Sequence, residues 1–325
     1  MTVETMHAIS RISCVIDPTT DKQPAMTRAA WLAEKLGAEL DLSICYYDRY
    51  LAGDRLFDSP SLDEARHERI CSYKERLELL AEPLRVAGLT VSTAAVWDHP
   101  LYQGIVRHAH ATGADIVFKD TRHHSALRRG ILTNTDWNLI RSCPVPLWLV
   151  KPHELSKSPL FIAAIDPFHE HDKPAALDDM ILVLAKSLAE KSNGEAHAFH
   201  AYDPRVAVAT AAENAYVPVS LPFNELETQM HDEHRQRFIE LAEFHGVDKR
   251  HEHLVAGLPH EELPALANRV NADVIVMGAV GRTRWKRLFI GATAERTLEH
   301  LPCDLLIVKP DWFQTPVEMS TDEAA

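Results

Sequence analysis

Positive charge is scarce in this chain, and so are glycine and paired cysteines. Lys and Arg total 34 against 47 Asp and Glu, a formal net charge of −13. That balance excludes sequence-independent binding to nucleic acid, which needs a basic footprint on phosphate; one locally basic loop is still compatible with it. The five cysteines (Cys14, Cys45, Cys71, Cys143, Cys303) are odd in number and form no C-x-x-C pair. This is the usage of a reduced, cytoplasmic chain with mostly buried thiols. No apolar run approaches the roughly 18 residues of a membrane helix, so no integral membrane contact is expected. The opening MTVETMHAIS has neither the basic n-region nor the apolar h-region of a signal peptide. G-x-S-x-G, H-E-x-x-H and Gly-Lys-Ser/Thr of a Walker A loop are all missing, which removes the familiar serine-hydrolase, zinc-protease and P-loop signatures.

What the chain does have is a repeat. ADIVFKDTRHHSALRRGILTNTDWNLIRSCPVPLWLVKP (114–152) aligns without a gap under ADVIVMGAVGRTRWKRLFIGATAERTLEHLPCDLLIVKP (272–310). Arg128-Arg129 falls under Lys286-Arg287, and Pro144 under Pro302. Upstream, VIDP (15–18) matches AIDP (164–167), and VWDHP (96–100) matches VAGLP (255–259). The chain is therefore a tandem duplication. Its halves are 1–152 and 153–312, joined at the polar KPHELSKSP (151–159), with 313–325 as an acidic C-terminal tail.

Each half alternates strand and helix. In the first, residues 8–16 form a strand ending at Asp17-Pro18, Pro24 to Leu36 a helix closed by Gly37, and 40–46 a strand. Leu62, Ala65, Arg69, Tyr73, Leu77, Leu80 and Leu84 fall at helical spacing within 61–88. Strand 90–96, helix 100–112, strand 115–119, helix 134–142 and strand 146–150 follow. Alternation of this kind means βαβ units and a mostly parallel sheet covered on both faces, and the continuous apolar runs DIVFK, DVIVM and DLLIV suit such a sheet. The second half adds a proline-bearing stretch at 203–226 without clear periodicity, read as a lid or covering loop.

The chemistry gathers in VIVMGAVGRTRWKRLFIGATAERT (274–297). A strand ends at Met277, placing Gly278 and Gly281 at the carboxyl edge of the sheet, where open α/β folds bind ligands. Gly291, Ala292 and Thr293 open a helix whose first N–H groups form an anion site. Arg282, Arg284, Lys286 and Arg287 supply positive charge from the loop. The alternative is a tight connection with solvated arginines.

The spacing G278-x2-G281-x9-G291, with strand-end Asp166, GLP (257–259), ADVIVMG (272–278) and CDLLIVKP (303–310), resembles the universal stress protein family. Both halves fit, and the tandem layout is most similar to the family's two-domain E type. That resemblance implies two tandem adenine-nucleotide α-hydrolase-like (Rossmann-like) α/β domains, each a five-stranded parallel sheet sandwiched by helices. It implies a nucleotide site at Asp166 and Ala201, beside adenine and ribose, and at Met277 with Gly278. Gly281, Arg282, Gly291, Ala292 and Thr293 would hold the phosphates. The expected ligand is ATP, with Mg²⁺, or another phosphorylated small molecule. Ala292 departs from the family's Ser or Thr and removes a hydroxyl donor worth about 0.5–1.5 kcal/mol. In the first half the three glycine positions are Asp120, His123 and Thr133. That half reads as a degenerate, structural copy in which Thr133 or Asn134 caps the helix.

Other constellations weigh less. His231 and His234 share a helix face, His197 and His200 point to opposite faces of a strand, and His108-x-His110 and His251-x-His253 are close pairs. No cysteine joins them at ligand spacing, so no metal ligands and no catalytic residues are assigned. The functional expectation is a cytoplasmic stress-response protein that binds its ligand and protein partners without evident catalysis. The alternatives are a slow ATPase and a carrier or scaffold for an amphiphilic anion. Pro146 marks an edge strand. The family's edge pairing implies an intramolecular pseudo-dimer of the two halves, with higher oligomers left open.

Overall fold

The computed structural model describes residues 9–51, 60–123, 130–168, 176–204, 223–279, 298 and 301–319. The chain forms two compact units. One joins His7–Glu154 to Asp311–Ala325, and the other is built on Leu155–Pro310.

The first unit runs β1 (Arg11–Val15), α1 (Pro24–Leu36), β2 (Glu39–Tyr46), α2 (Pro60–Val86), β3 (Val91–Trp97), α3 (Leu101–Thr112) and β4 (Ile116–Asp120). A short antiparallel ribbon of β5 (Arg122–His123) and β6 (Gly130–Ile131) precedes α4 (Asn134–Ser142) and β7 (Leu147–Val150). The main strands are parallel in the order β7-β4-β1-β2-β3. β7 is thus outermost in its unit, where Pro146 predicted an edge. The ribbon was not anticipated: it falls where the second half has its glycine-rich stretch.

The second unit repeats the plan with β8 (Leu160–Ala164), α5 (Ala176–Ser192), β9 (Glu195–Tyr202), α6 (Phe223–Phe244), β10 (Glu252–Ala256), α7 (Pro259–Val270), β11 (Val274–Gly278) and β12 (Asp304–Val308). Its parallel order is β10-β9-β8-β11-β12. Of the proposed lid, residues 205–222 lie outside the described residues, and from Phe223 the chain is helical. The chain leaves β8 toward β9 and β10, then returns to lay β11 on the other side of β8. That reversal is the topological switch point of the sheet.

Burial explains the near-continuous apolar strands. Val274, Ile275 and Val276, and all of β7 and β12, are buried. In the first unit Phe118 stacks on Trp148 with ring centroids 4.8 Å apart. Four of the five free cysteines are buried. Among the described residues, no helix is long and apolar enough to cross a membrane.

The aligned Ala-Asp pairs share one structural task. Asp115 Oδ2 accepts from Ser10 N at 2.7 Å, Ser10 Oγ at 2.9 Å and Arg11 N at 2.8 Å. Asp273 accepts from Ser156 N at 2.8 Å, Ser156 Oγ at 2.5 Å and Leu160 N at 2.9 Å. Each carboxylate satisfies amides at the start of its unit's first strand and fixes that strand beside the fourth. The helix stop before it also repeats. Gly113 (φ 65°) and the aligned Asn271 (φ 52°) both end their helices in the left-handed conformation, which glycine and asparagine tolerate best.

The tail packs rather than trails. Phe313 and Val317 are buried, Thr315 Oγ1 donates to the Ser142 carbonyl at 2.6 Å, and Arg107 Nε donates to the Glu318 carbonyl at 2.9 Å.

Asp273→Ala strands three donors at once. It is expected to destabilise the protein by about 1.5–3 kcal/mol, read as a lower urea midpoint with unchanged m-value. An unchanged midpoint would show that the clamp contributes nothing to stability.

Candidate functional site

The carboxyl edge of the second sheet brings together four of the residues singled out from sequence. Register places Ala164, Phe199 and Met277 at one level on β8, β9 and β11. Asp166 and Ala201 therefore stand two residues further along their strands, at the mouth of the switch point. Ala201 is buried, while Asp166, Met277 and Gly278 are partly exposed. Gly281, Arg282, Gly291, Ala292 and Thr293, with Arg284, Lys286 and Arg287, lie outside the described residues, as do Arg128 and Arg129 of the first half.

Asp166 forms a local turn: its Oδ1 accepts from Phe168 N at 3.3 Å, and its own N–H donates to Asp178 Oδ1 at 3.2 Å. Asp17 does the same, accepting from Thr19 N at 2.8 Å and Thr19 Oγ1 at 2.6 Å. The matched aspartates thus share a turn-forming role that the sequence pattern alone could not separate from ligand binding.

Gly278 needs its bare Cα for packing. A Cβ there would stand 2.7 Å from Leu177 Cδ2 and 3.4 Å from Ile181 Cδ1, both on α5. Its φ is not positive, so conformational freedom is not the reason for glycine. Its side-chain direction faces the crossover helix. Next along the chain, Ala279 N–H donates to the Val308 carbonyl at 3.3 Å, and the buried Lys309 ammonium donates to the Ala279 carbonyl. The start of the glycine-rich stretch is therefore tied to the end of β12.

The first copy fills the matched position with charge. Asp120 Oδ1 accepts from Ala25 N at 2.8 Å, at the N-terminus of α1, where Gln23 provides no side-chain cap. An anion there answers an orphan amide and the positive end of the helix. Of Thr133 and Asn134, it is Thr133 that caps α4: its hydroxyl accepts from Asp136 N at 3.2 Å, and the Asp136 carboxylate accepts from Thr133 N at 2.6 Å. Lys119 pairs with Asp136 at 2.7 Å. Both helix starts at this edge are thus served by the copy's own carboxylates.

Beside Asp166 lies a stack of rings. His200 Nδ1 is 3.1 Å from the Ile165 carbonyl, so that nitrogen carries a proton and donates. His200 Nε2 is 2.8 Å from His234 Nδ1, and Tyr202 OH is 2.8 Å from His231 Nδ1. Phe168 and Tyr202 flank the His234 ring at centroid distances of 3.9 and 4.2 Å, and the Arg237 guanidinium lies 4.4 Å from the Phe168 ring centre. The sequence signal was two matching periods: His231 and His234 three apart on a helix, His200 and Tyr202 two apart on a strand. Neither period alone names its partner.

Burial, and then His200, push His234 down to about 4, with Arg237 acting in the same direction and Asp166 and Glu233 opposing. The unfolded chain takes up this proton near 6.5, whereas the folded chain resists it to about 4. The contribution of neutral His234 is complete above pH 6.5 and is lost as pH falls toward 4. Urea unfolding across that window is expected to show falling stability, with a shallower fall in His234→Phe. Identical slopes would exclude His234 as a source.

The chain matches known proteins over nearly its whole length. The sequence profile described as the universal stress protein family matches residues 8–151 and again 163–309. Universal stress protein E of Escherichia coli (strain K12) is 32% identical over 311 residues, covering 95% of this chain and 96% of that one. Universal stress protein E of Photorhabdus laumondii is 29% identical over 314 residues, covering 95% and 97%. A solved structure from Pseudomonas aeruginosa UCBPP-PA14, assigned to the universal stress proteins, superposes with a TM-score of 0.69 at 25% identity, covering 94% of each chain.

Proposed function

The chain belongs to the universal stress protein family, in its tandem two-domain form, and on that premise we propose that its second unit binds ATP or a related phosphorylated ligand. The carrying observation is the strand-end cluster at the switch point of that unit. Asp166, Ala201, Met277 and Gly278 converge where open α/β sheets take ligands. The equivalent strand end of the first unit carries Asp120, whose carboxylate is already committed to α1. A phosphate approaching that edge meets negative charge, which supports a scaffold role for the first copy.

In this reading Asp166 and Ala201 border adenine and ribose, Met277 and Gly278 form the pocket floor, and Gly281, Gly291, Ala292 and Thr293 hold the phosphates. Arg282 adds charge, and Mg²⁺ accompanies the triphosphate. The chain acts by binding and by contact with protein partners in a cytoplasmic stress response. Free, mostly buried thiols fit that compartment.

Gly281→Asp introduces a carboxylate into the proposed phosphate cradle. ATP affinity measured by calorimetry is expected to fall at least about tenfold, equivalent to ~1.4 kcal/mol, with circular dichroism and thermal midpoint preserved. Equal ATP affinity in the folded variant would refute the cradle.

A further inference from the structure

We propose that Glu195, His197 and His251 form a three-ligand site for a divalent transition-metal ion of the zinc class, at the sheet edge opposite the strand-end cluster. Glu195 and His197 are two apart at the start of β9, so they share a face. His251 closes the turn of 3₁₀ helix that leads into β10, the strand paired with β9. One donor atom from each residue lies within 4.8 Å of the other two.

The spacing suits a small cation. Glu195 Oε2 is 3.5 Å from His197 Nε2 and 3.5 Å from His251 Nε2. Tetrahedral zinc, with bonds of about 2.0–2.1 Å, holds its donor atoms roughly 3.3–3.4 Å apart. The His197 and His251 rings stack at 4.2 Å with 16° between their planes. Two imidazoles and a carboxylate are borderline-soft donors that suit zinc and its first-row neighbours. Glu195 is exposed (side chain 60%), which leaves an approach for the ion and a fourth position for water.

An outer contact completes the arrangement. His197 Nδ1 lies 3.0 Å from His253 Nε2. With His253 accepting, His197 keeps its proton on Nδ1 and turns the lone pair of Nε2 toward Glu195. Histidines that bind metals are held in this way by an acceptor behind them.

Comparison of the copies points the same way. Asp41 pairs with Ser13 across β2 and β1, as His197 pairs with Ile162 across β9 and β8. The first copy closes this place internally: Asp41 is bonded to His108 Nε2 at 2.7 Å and Ser92 Oγ at 3.0 Å, a buried carboxylate with its own partners. The second copy puts imidazoles there and brings its carboxylate from the solvent side. The cluster is remote from Asp166 and Gly278 on the strands, so it stands independently of the nucleotide reading.

The test is calorimetric titration of the tag-free, chelator-treated full chain with Zn²⁺ at neutral pH, with Co²⁺ absorption reporting coordination. His197 is buried, so the more accessible Glu195→Gln and His251→Ala carry the test, with circular dichroism checking their fold. The expected result is one saturable site per chain, weakened at least about tenfold in each variant, and about 10–100-fold in His253→Gln. Absence of stoichiometric Zn²⁺ binding by the wild-type chain, or unchanged affinity in the folded His251→Ala chain, would overturn the proposal.

Discussion

The residue at the end of the fourth strand of each unit must meet the crossover helix that packs over it. In the first unit this residue is Asp120, and its carboxylate takes the Ala25 amide at the start of α1. In the second it is Gly278, and Leu177 of α5 occupies the space where a side chain would stand. One position thus has two solutions, electrostatic and steric. The first puts negative charge at that strand end, while the second leaves the position uncharged. The proposed division of labour between the copies follows from that difference.

The scaffold beneath this difference is shared down to single hydrogen bonds. Asp115 and Asp273 hold the first strand of each unit. Gly113 and Asn271 stop the preceding helix with the same left-handed residue. Thr121 N donates to Val150 O in one unit as Ala279 N donates to Val308 O in the other. These contacts answer backbone needs that any parallel βαβ sheet has, so duplication preserved them. Other side chains at the two sheet edges answer no such need and were free to diverge. At the amino edge that divergence set Asp41 with His108 in one copy against a group of imidazoles in the other.

Much of the architecture was legible in the sequence because it is local or periodic. The helix end at Gly37, the strand runs DIVFK and DVIVM, a cap at Thr133 or Asn134 and the outer position of β7 all follow from residue type and spacing. The site was legible only in outline. Asp166 and Gly278 were marked by motif, but their contacts with Asp178 and Leu177 depend on where α5 packs. The histidine groups show the limit plainly. His251-x-His253 reads as an isolated pair and His197 goes with His200 on its own strand, because the 53 residues between His197 and His251 hide the fact that β9 and β10 are neighbours. The ribbon at Arg122–His123 and Gly130–Ile131 had no sequence signal, being two residues per strand.

The most direct measurement is photolabelling of the intact chain with 8-azido-ATP, followed by peptide mapping. The account predicts ATP-competable labelling confined to peptides of residues 155–310, at the ends of β8, β9 or β11. Competable label in peptides of residues 7–154, or none anywhere at saturating probe, would contradict it.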